Sequence, residues 1–498
     1  MANDWEIRGV PRALTCDMWW FAGEGPGPVV QGRRPLGSVS GTTRSAVALL
    51  GLVALADLLF YGHFPGLSLA VFAAAILGVA MILSPGRDRL RPALLLLASA
   101  LPVVEHLQHL SLGFLLAGLL TSLAWTTGGA NALGPRALRL LRDLPLRGAV
   151  DGFALARTAQ QGASARDIHR HAKAWAFPVG GALILTALLV QANPILGDAF
   201  ARMLQIKSDG TLLARGLFWV GAALVVWPMI ASPRPVVAAR PATLPQIPGP
   251  GPASVLRGLV LFNAILGLQT LMDAAYLWGG ASLPSGMTAA EYAHRGAYPL
   301  LATALLAGAF ALAARPFARE NPWLRRLLLM WLAQNLLLTV SALLRLELYV
   351  EAFGLTYLRL YAAIWMGLVG AGLGLIGWQV WRDLPNRWLL VRSAGLGLAA
   401  LYAACFVNFA AIIATQNLSR PDFADDGYIC TLPATADAAI VASGRRPLRI
   451  DEYGDTYGAC ALDGPNIKGW RDWGFRKWRV RRYLDGVKEA AHEDPRGG

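Results

Sequence analysis

The sequence predicts an all-α fold, a polytopic transmembrane helical bundle of about eleven spans with its N-terminus inside, followed by a small extracytoplasmic C-terminal segment. Three observations carry this expectation. Hydrophobic residues fill 55% of the 498 positions and charged residues only 15%, against about 25% charged in ordinary soluble domains. Mean hydropathy is +0.44. The apolar residues also run in blocks of about 17–25, the length that crosses a hydrocarbon core of roughly 30 Å. With no water in that layer every backbone N–H and C=O must bond within its own segment, so such blocks are helices.

Residues 1–44 form a polar, Gly-, Pro- and Arg-rich N-terminal segment on the cytoplasmic side, and the first apolar block starts near Ala46. A cleaved secretory signal places its apolar region earlier, so this block reads as a retained signal anchor. The first transmembrane half, 45–232, holds six spans at 46–62, 67–84, 92–105, 109–127, 175–194 and 212–232. The third is short and contains Pro102, which makes it a candidate re-entrant segment. Between the fourth and fifth lies a basic cytoplasmic loop, 128–173, in which Arg136, Arg139 and Arg142 recur at amphipathic helical spacing and suit a membrane surface.

A Pro-rich linker, 233–256, separates the halves, a composition that makes a semi-rigid connector. The second half, 257–415, holds five spans at 257–278, 298–315, 325–345, 358–380 and 391–415, and the tail occupies 416–498. With the N-terminus inside, the cytoplasmic connections collect 26 Lys and Arg against six in the outer ones, the remaining 13 lying in the tail. That asymmetry favours this orientation, because cations near span ends are retained in the cytoplasm. The net charge of +14 is thereby topological and does not point to nucleic acid. Cys430 and Cys460 share the tail, and an oxidising compartment permits a bridge between them.

Ionisable residues at span ends are costly and therefore candidates for function. Under this topology Asp273, His294, Arg295, Arg345, Glu347 and Arg359 gather on the outer face. Arg offers a bidentate fork to an anionic headgroup and His a proton carrier. Gln269 and Asp273, four apart, share a helix face. His106 and His109, beside Glu105, are weak candidates for a metal, since no third ligand is fixed by spacing. The tail run from Trp470 to Arg482 interleaves aromatic and basic residues and suits either anionic lipid or a packed helix. There is no phosphate loop, dinucleotide fingerprint or nucleophile elbow, and no cofactor is expected.

Two loop motifs carry a resemblance. Gln269, Asp273, Tyr276–Gly280, Leu283–Met287 and Glu291–Gly296 form one, and Leu346–Thr356 with Leu358–Tyr361 the other. Over roughly residues 45–415 the chain resembles the bacterial polytopic membrane family catalogued as domain of unknown function 4173, related to the 4153 group. The resemblance implies a multi-pass protein of the bacterial cytoplasmic (inner) membrane and transfers no catalytic residue, cofactor or substrate. The resulting expectation is an outward-facing polar site that binds, transports or exports an envelope or headgroup-like substrate, with membrane lipids and envelope components as partners. A non-catalytic envelope scaffold or sensor is the alternative, and an envelope-modifying enzyme the third class.

Overall fold

The computed structural model describes residues 39–84, 88–129, 133–159, 210–231, 251–275, 289–420, 425–450 and 456–493. The predicted fifth span and most of the Pro-rich linker lie outside these residues. The described chain is mostly helical. Helix α1 is Val39–Phe60, α2 Leu67–Leu83, α3 Leu90–Glu105, α4 His109–Gly128, α5 Leu133–Ala159 and α6 Gly210–Ile230. The second half contributes α7 Pro252–Asp273, α8 Ala289–Glu320, α9 Pro322–Phe353, α10 Tyr357–Arg382 and α11 Asn386–Phe406. The tail adds α12 Phe409–Leu418, α13 Asp426–Cys430, α14 Asp437–Ala442, strands β1 Leu448–Ile450 and β2 Thr456–Ala459, and α15 Phe475–Glu493.

Among the described residues, six helices are long and apolar enough to cross a membrane: α4, α6, α7, α9, α10 and α11. Their outward faces are apolar in a way water would penalise. Leu261, Leu268, Leu271, Trp323 and Leu390 are all exposed, whereas soluble monomers rarely expose contiguous apolar surface of this extent. Helix α3 runs unbroken through Pro102, and pairs with α4 as a helical hairpin.

The chain divides into two compact units. In the first, α5 and α6 meet where Gly148 lies against the backbone of Leu224, so close that a Cβ on residue 148 would overlap the Leu224 carbonyl oxygen. Asp151 joins them, accepting from Trp227 Nε1 at 3.1 Å and pairing with Arg147 at 3.3 Å.

The second unit has its main core between α7, α8, α9 and α10. Ala307, Ala311, Ala314 and Ala318 recur at three- and four-residue spacing on α8 and are buried. A stripe of small side chains lets helix backbones approach closely inside a membrane, where apolar contact alone distinguishes nothing. Phe262, Phe310 and Trp331 fill the space beside that stripe, with ring centroids 5.3–6.1 Å apart. Asn263 ties α7 to α9 by donating to the Leu327 carbonyl at 3.1 Å.

The last predicted span divides in two. Helix α11 stops at Phe406 and a new helix starts at Phe409, its N-terminus capped by Asn408, whose side chain accepts from the Ala411 N–H. Apolar α12 forms the core of the tail domain with Ile429, Ala436 and Ile440. The tail also departs from an all-α fold, since β1 and β2 pair antiparallel, Leu448 opposite Ala459 and Ile450 opposite Thr456. A disulfide joins Cys430 at the end of α13 to Cys460 just after β2, their Cα atoms 5.4 Å apart.

Candidate functional site

The first polar centre grows out of two helix sequences. In α9 an 18-residue uncharged and mostly apolar stretch, Leu327–Leu344, runs between Arg326 and Arg345. It measures about 27 Å at 1.5 Å per residue, close to the thickness of the hydrocarbon core, which puts Arg345 at its edge. Asp273 ends α7. The two side chains meet: Arg345 Nη2 donates to Asp273 Oδ1, which also accepts from Gln269 Nε2 at 2.9 Å. Asp273 is 1% exposed and Arg345 4%. A charge pair this deep is held only if both partners stay, because removing one leaves an uncompensated ion in a low-dielectric site. Oδ2 of Asp273 has no hydrogen-bond partner among the described residues.

Two other residues of the predicted outer site, Glu347 and Arg359, are placed differently. Glu347 is exposed; two positions beyond Arg345 is about 200° around the helix. Arg359 lies in the first turn of α10 and donates to the Phe353 carbonyl at 2.7 Å and to that of Gly354. Its guanidinium also stacks over the Tyr349 ring at 4.5 Å. It thus satisfies the free carbonyls that end α9. His294 and Arg295 belong to the first turns of α8, and their side chains lie outside the described residues.

The second centre is the seat of the tail domain. Glu105 ends α3, and its Oε1 accepts from Arg476 Nε at 3.1 Å, with Arg479 3.7 Å away. Arg476 turns its Nη2 to the Cys405 carbonyl at the end of α11, 2.8 Å away. Both Glu105 and Arg476 are buried. Alongside, the N–H groups that open α2 are satisfied by the tail: Leu67 N–H donates to Trp473 O at 3.0 Å and Ser68 N–H to Arg471 O at 3.2 Å. The α9–α10 turn is gripped too. Asn417 Nδ2 donates to the Leu355 carbonyl at 2.9 Å and its Oδ1 accepts from the Leu355 N–H at 2.7 Å. Arg420 donates to the carbonyls of Val350 and Glu351. One domain therefore binds the ends of α3, α9 and α11 and the starts of α2 and α10.

His106 and His109 do not share a helix, because α3 ends at Glu105 and α4 begins at His109. Burial, Arg476 and Lys477 lower the His106 imidazole to about 4. The same cationic neighbours oppose a metal ion, and among the described residues no group of three or more His, Cys, Asp or Glu is placed to hold one.

The far ends of the same helices carry a different network. Arg315 donates to Asn386 and to the Leu384 carbonyl, Arg325 donates to the Trp381 carbonyl, and Arg319 pairs with Asp383 at 2.5 Å. The hydrogen bond from Arg319 holds the Asp383 carboxyl below its usual range. Basic residues here brace the α8–α9 and α10–α11 turns.

The tail's contribution escaped the sequence reading. Arg476 was visible only as one cation in a basic run, and its partner Glu105 is 371 positions away. Asn417 and Arg420 fell at the edge of a predicted span, where nothing marks them as clamps.

A family model described as a domain of unknown function (DUF4153) matches residues 45–442. The 4173 family is not the model that matches. No curated protein and no solved structure matches the chain.

Proposed function

The chain belongs to the family of that domain of unknown function (DUF4153), and on that premise we propose that it is a multi-pass membrane scaffold or sensor of the bacterial cell envelope. Its tail is a disulfide-bridged extracytoplasmic cap seated on the outer ends of the helices. The observation that carries this reading is the grip of one tail domain on three separate helix turns, through Glu105–Arg476, Leu67–Trp473 and Asn417–Leu355. Asp273 and Arg345 neutralise each other, and Arg359 closes a helix end. These polar residues serve as ties between elements. The disulfide supports the orientation with the tail outside, since such bonds persist in oxidising compartments. The Arg-rich network at the far helix ends matches the cytoplasmic side of a positive-inside protein.

The test is thermal unfolding of the full-length protein in detergent, with limited trypsin digestion read in parallel, for Arg476→Met against the native chain. A cap that organises the helices predicts both a lower melting temperature of the helical body and earlier cleavage of the tail. Release of the tail with unchanged helical melting would sink the scaffold reading. A second reading, binding of a headgroup-like substrate for transport or export, is favoured by the buried Oδ2 of Asp273. Asp273→Asn would then abolish substrate binding while Glu105→Gln would not.

A further inference from the structure

Helix α15 has two unlike faces. Arg476, Val480 and Leu484, four apart, are buried against the rest of the tail and the end of α3. The other face repeats Phe475, Trp478, Arg479, Arg482, Tyr483 and Val487 at three- and four-residue intervals, and all are exposed or half-exposed. The cations of this face lie on its rings. The Arg479 guanidinium is 5.5 Å from the Phe475 centroid and that of Arg482 is 5.3 Å from Trp478. Just upstream Arg471 repeats the pairing over the exposed Trp470 at 5.2 Å. No carboxylate pairs with Arg482 among the described residues. Arg481 is paired, with Asp485, at the edge of this face. Asp485 and Glu489, three and seven residues beyond Arg482, are the exposed carboxylates that follow along this side.

The level of this face is fixed by its anchors. Trp473 binds the first residue of α2, and Arg476 binds the last residue of α3 and the end of α11. The first turn of α15 therefore sits where apolar helices end, which is where a bilayer changes from hydrocarbon to headgroup. Trp and Tyr prefer that layer, and Arg at that depth meets phosphate. Arg479, Arg482, Tyr483 and Val487 also line a shallow groove on this face together with Gly486 and Ala490.

We propose that the exposed face of α15 is a docking surface for an anionic phospholipid, with Arg479 and Arg482 on its phosphate and Phe475 and Trp478 sunk among the acyl chain tops. The contact fastens the outer edge of the cap to the membrane. It is independent of the scaffold reading, because it requires only that α15 lie at the level of the helix ends.

The test is native mass spectrometry of the full-length protein in detergent, titrated with dioleoylphosphatidylglycerol or dioleoylphosphatidylcholine. The native chain is expected to bind phosphatidylglycerol in preference to phosphatidylcholine. Arg482→Gln should weaken phosphatidylglycerol by several-fold, and the Arg479→Gln, Arg482→Gln double variant by roughly tenfold or more, given the attraction of each cation to an anionic surface. Arg481→Gln, whose side chain pairs with Asp485, should leave binding unchanged, and the melting temperatures of the Arg482→Gln and Arg481→Gln variants should stay native-like. Arg479 also lies 3.7 Å from Glu105, so the single Arg482→Gln variant separates lipid binding from the seating of the cap. Equal binding of the two lipids by the native chain would overturn the proposal. So would phosphatidylglycerol binding unaltered by the double variant, which would mark the face as solvated or as a protein contact.

Discussion

A carboxylate and a guanidinium buried together at the edge of a membrane are stable as a pair and costly as singles. Asp273 and Arg345 meet that description, with Gln269 holding the same oxygen. Asp273→Leu is expected to lower the stability of the full-length protein by about 3 kcal/mol, and Arg345→Met by a similar amount, because each leaves its partner's charge buried alone. Combining Asp273→Leu with Arg345→Met should recover a large part of that loss in a detergent melting series. Losses that simply add would show that the two side chains do not act as a pair. His106 supplies a residue-level pH prediction. Its folded-state pKa of about 4 lies below the ordinary 6.5, so the unfolded chain takes up the proton first. The stability it supports is complete above 6.5 and falls as pH drops towards 4. Glu105, Arg476 and Lys477 surround it. Melting temperature measured from pH 7.5 to 4.5 should therefore fall less steeply for His106→Asn than for the native chain.

At the scale of elements, the close approaches matter most. Gly66 lies at the start of α2 with the Asp472 backbone so near that a Cβ would stand 2.6 Å from its carbonyl carbon. Neither backbone is free to yield, since Leu67 and Trp473 are hydrogen-bonded across the same contact. Gly66→Ala is expected to cost about 1–3 kcal/mol through overpacking and to expose the tail to trypsin, whereas Gly78→Ala, within α2 and with open space around it, should leave the tail protected. The bridge between Cys430 and Cys460 closes a loop of 30 residues. Its removal in a Cys430→Ser, Cys460→Ser variant should destabilise the cap by about 3–4 kcal/mol, read as earlier proteolysis of the tail.

The same scale shows what the sequence made legible. The spans at 257–278, 325–345 and 358–380 were readable because a run of apolar residues bounded by Arg or Asp has one solution in a membrane. The stretch Phe409–Leu418 is equally apolar, so composition alone merged it with the span before it. What separates them is the Asn408 cap and a partner core from residues 429–440, and only tertiary packing reveals that core. Likewise, Gln269 and Asp273 were legible as neighbours because four residues make one helical turn, while the meeting of Asp273 with Arg345 depends on how α7 and α9 pack.

For the whole molecule, the central proposal is that one cap holds several helix ends on a single, extracytoplasmic side, with the Arg-rich turns on the other. The components of that proposal are separable by position. Phe64 lies in the α1–α2 turn, Phe353 ends α9, Trp470 belongs to the cap and Trp381 lies near the end of α10 beside the Asp383 network; all four are exposed. The most direct measurement is labelling of intact cells with a membrane-impermeant thiol reagent, using single cysteines at these positions after Cys16 and Cys405 have been replaced by Ser. Labelling at 64, 353 and 470 with protection at 381 is the predicted result. Labelling at 381 alone would place the cap in the cytoplasm, and labelling of 64 without 353 would contradict a cap that seats on both.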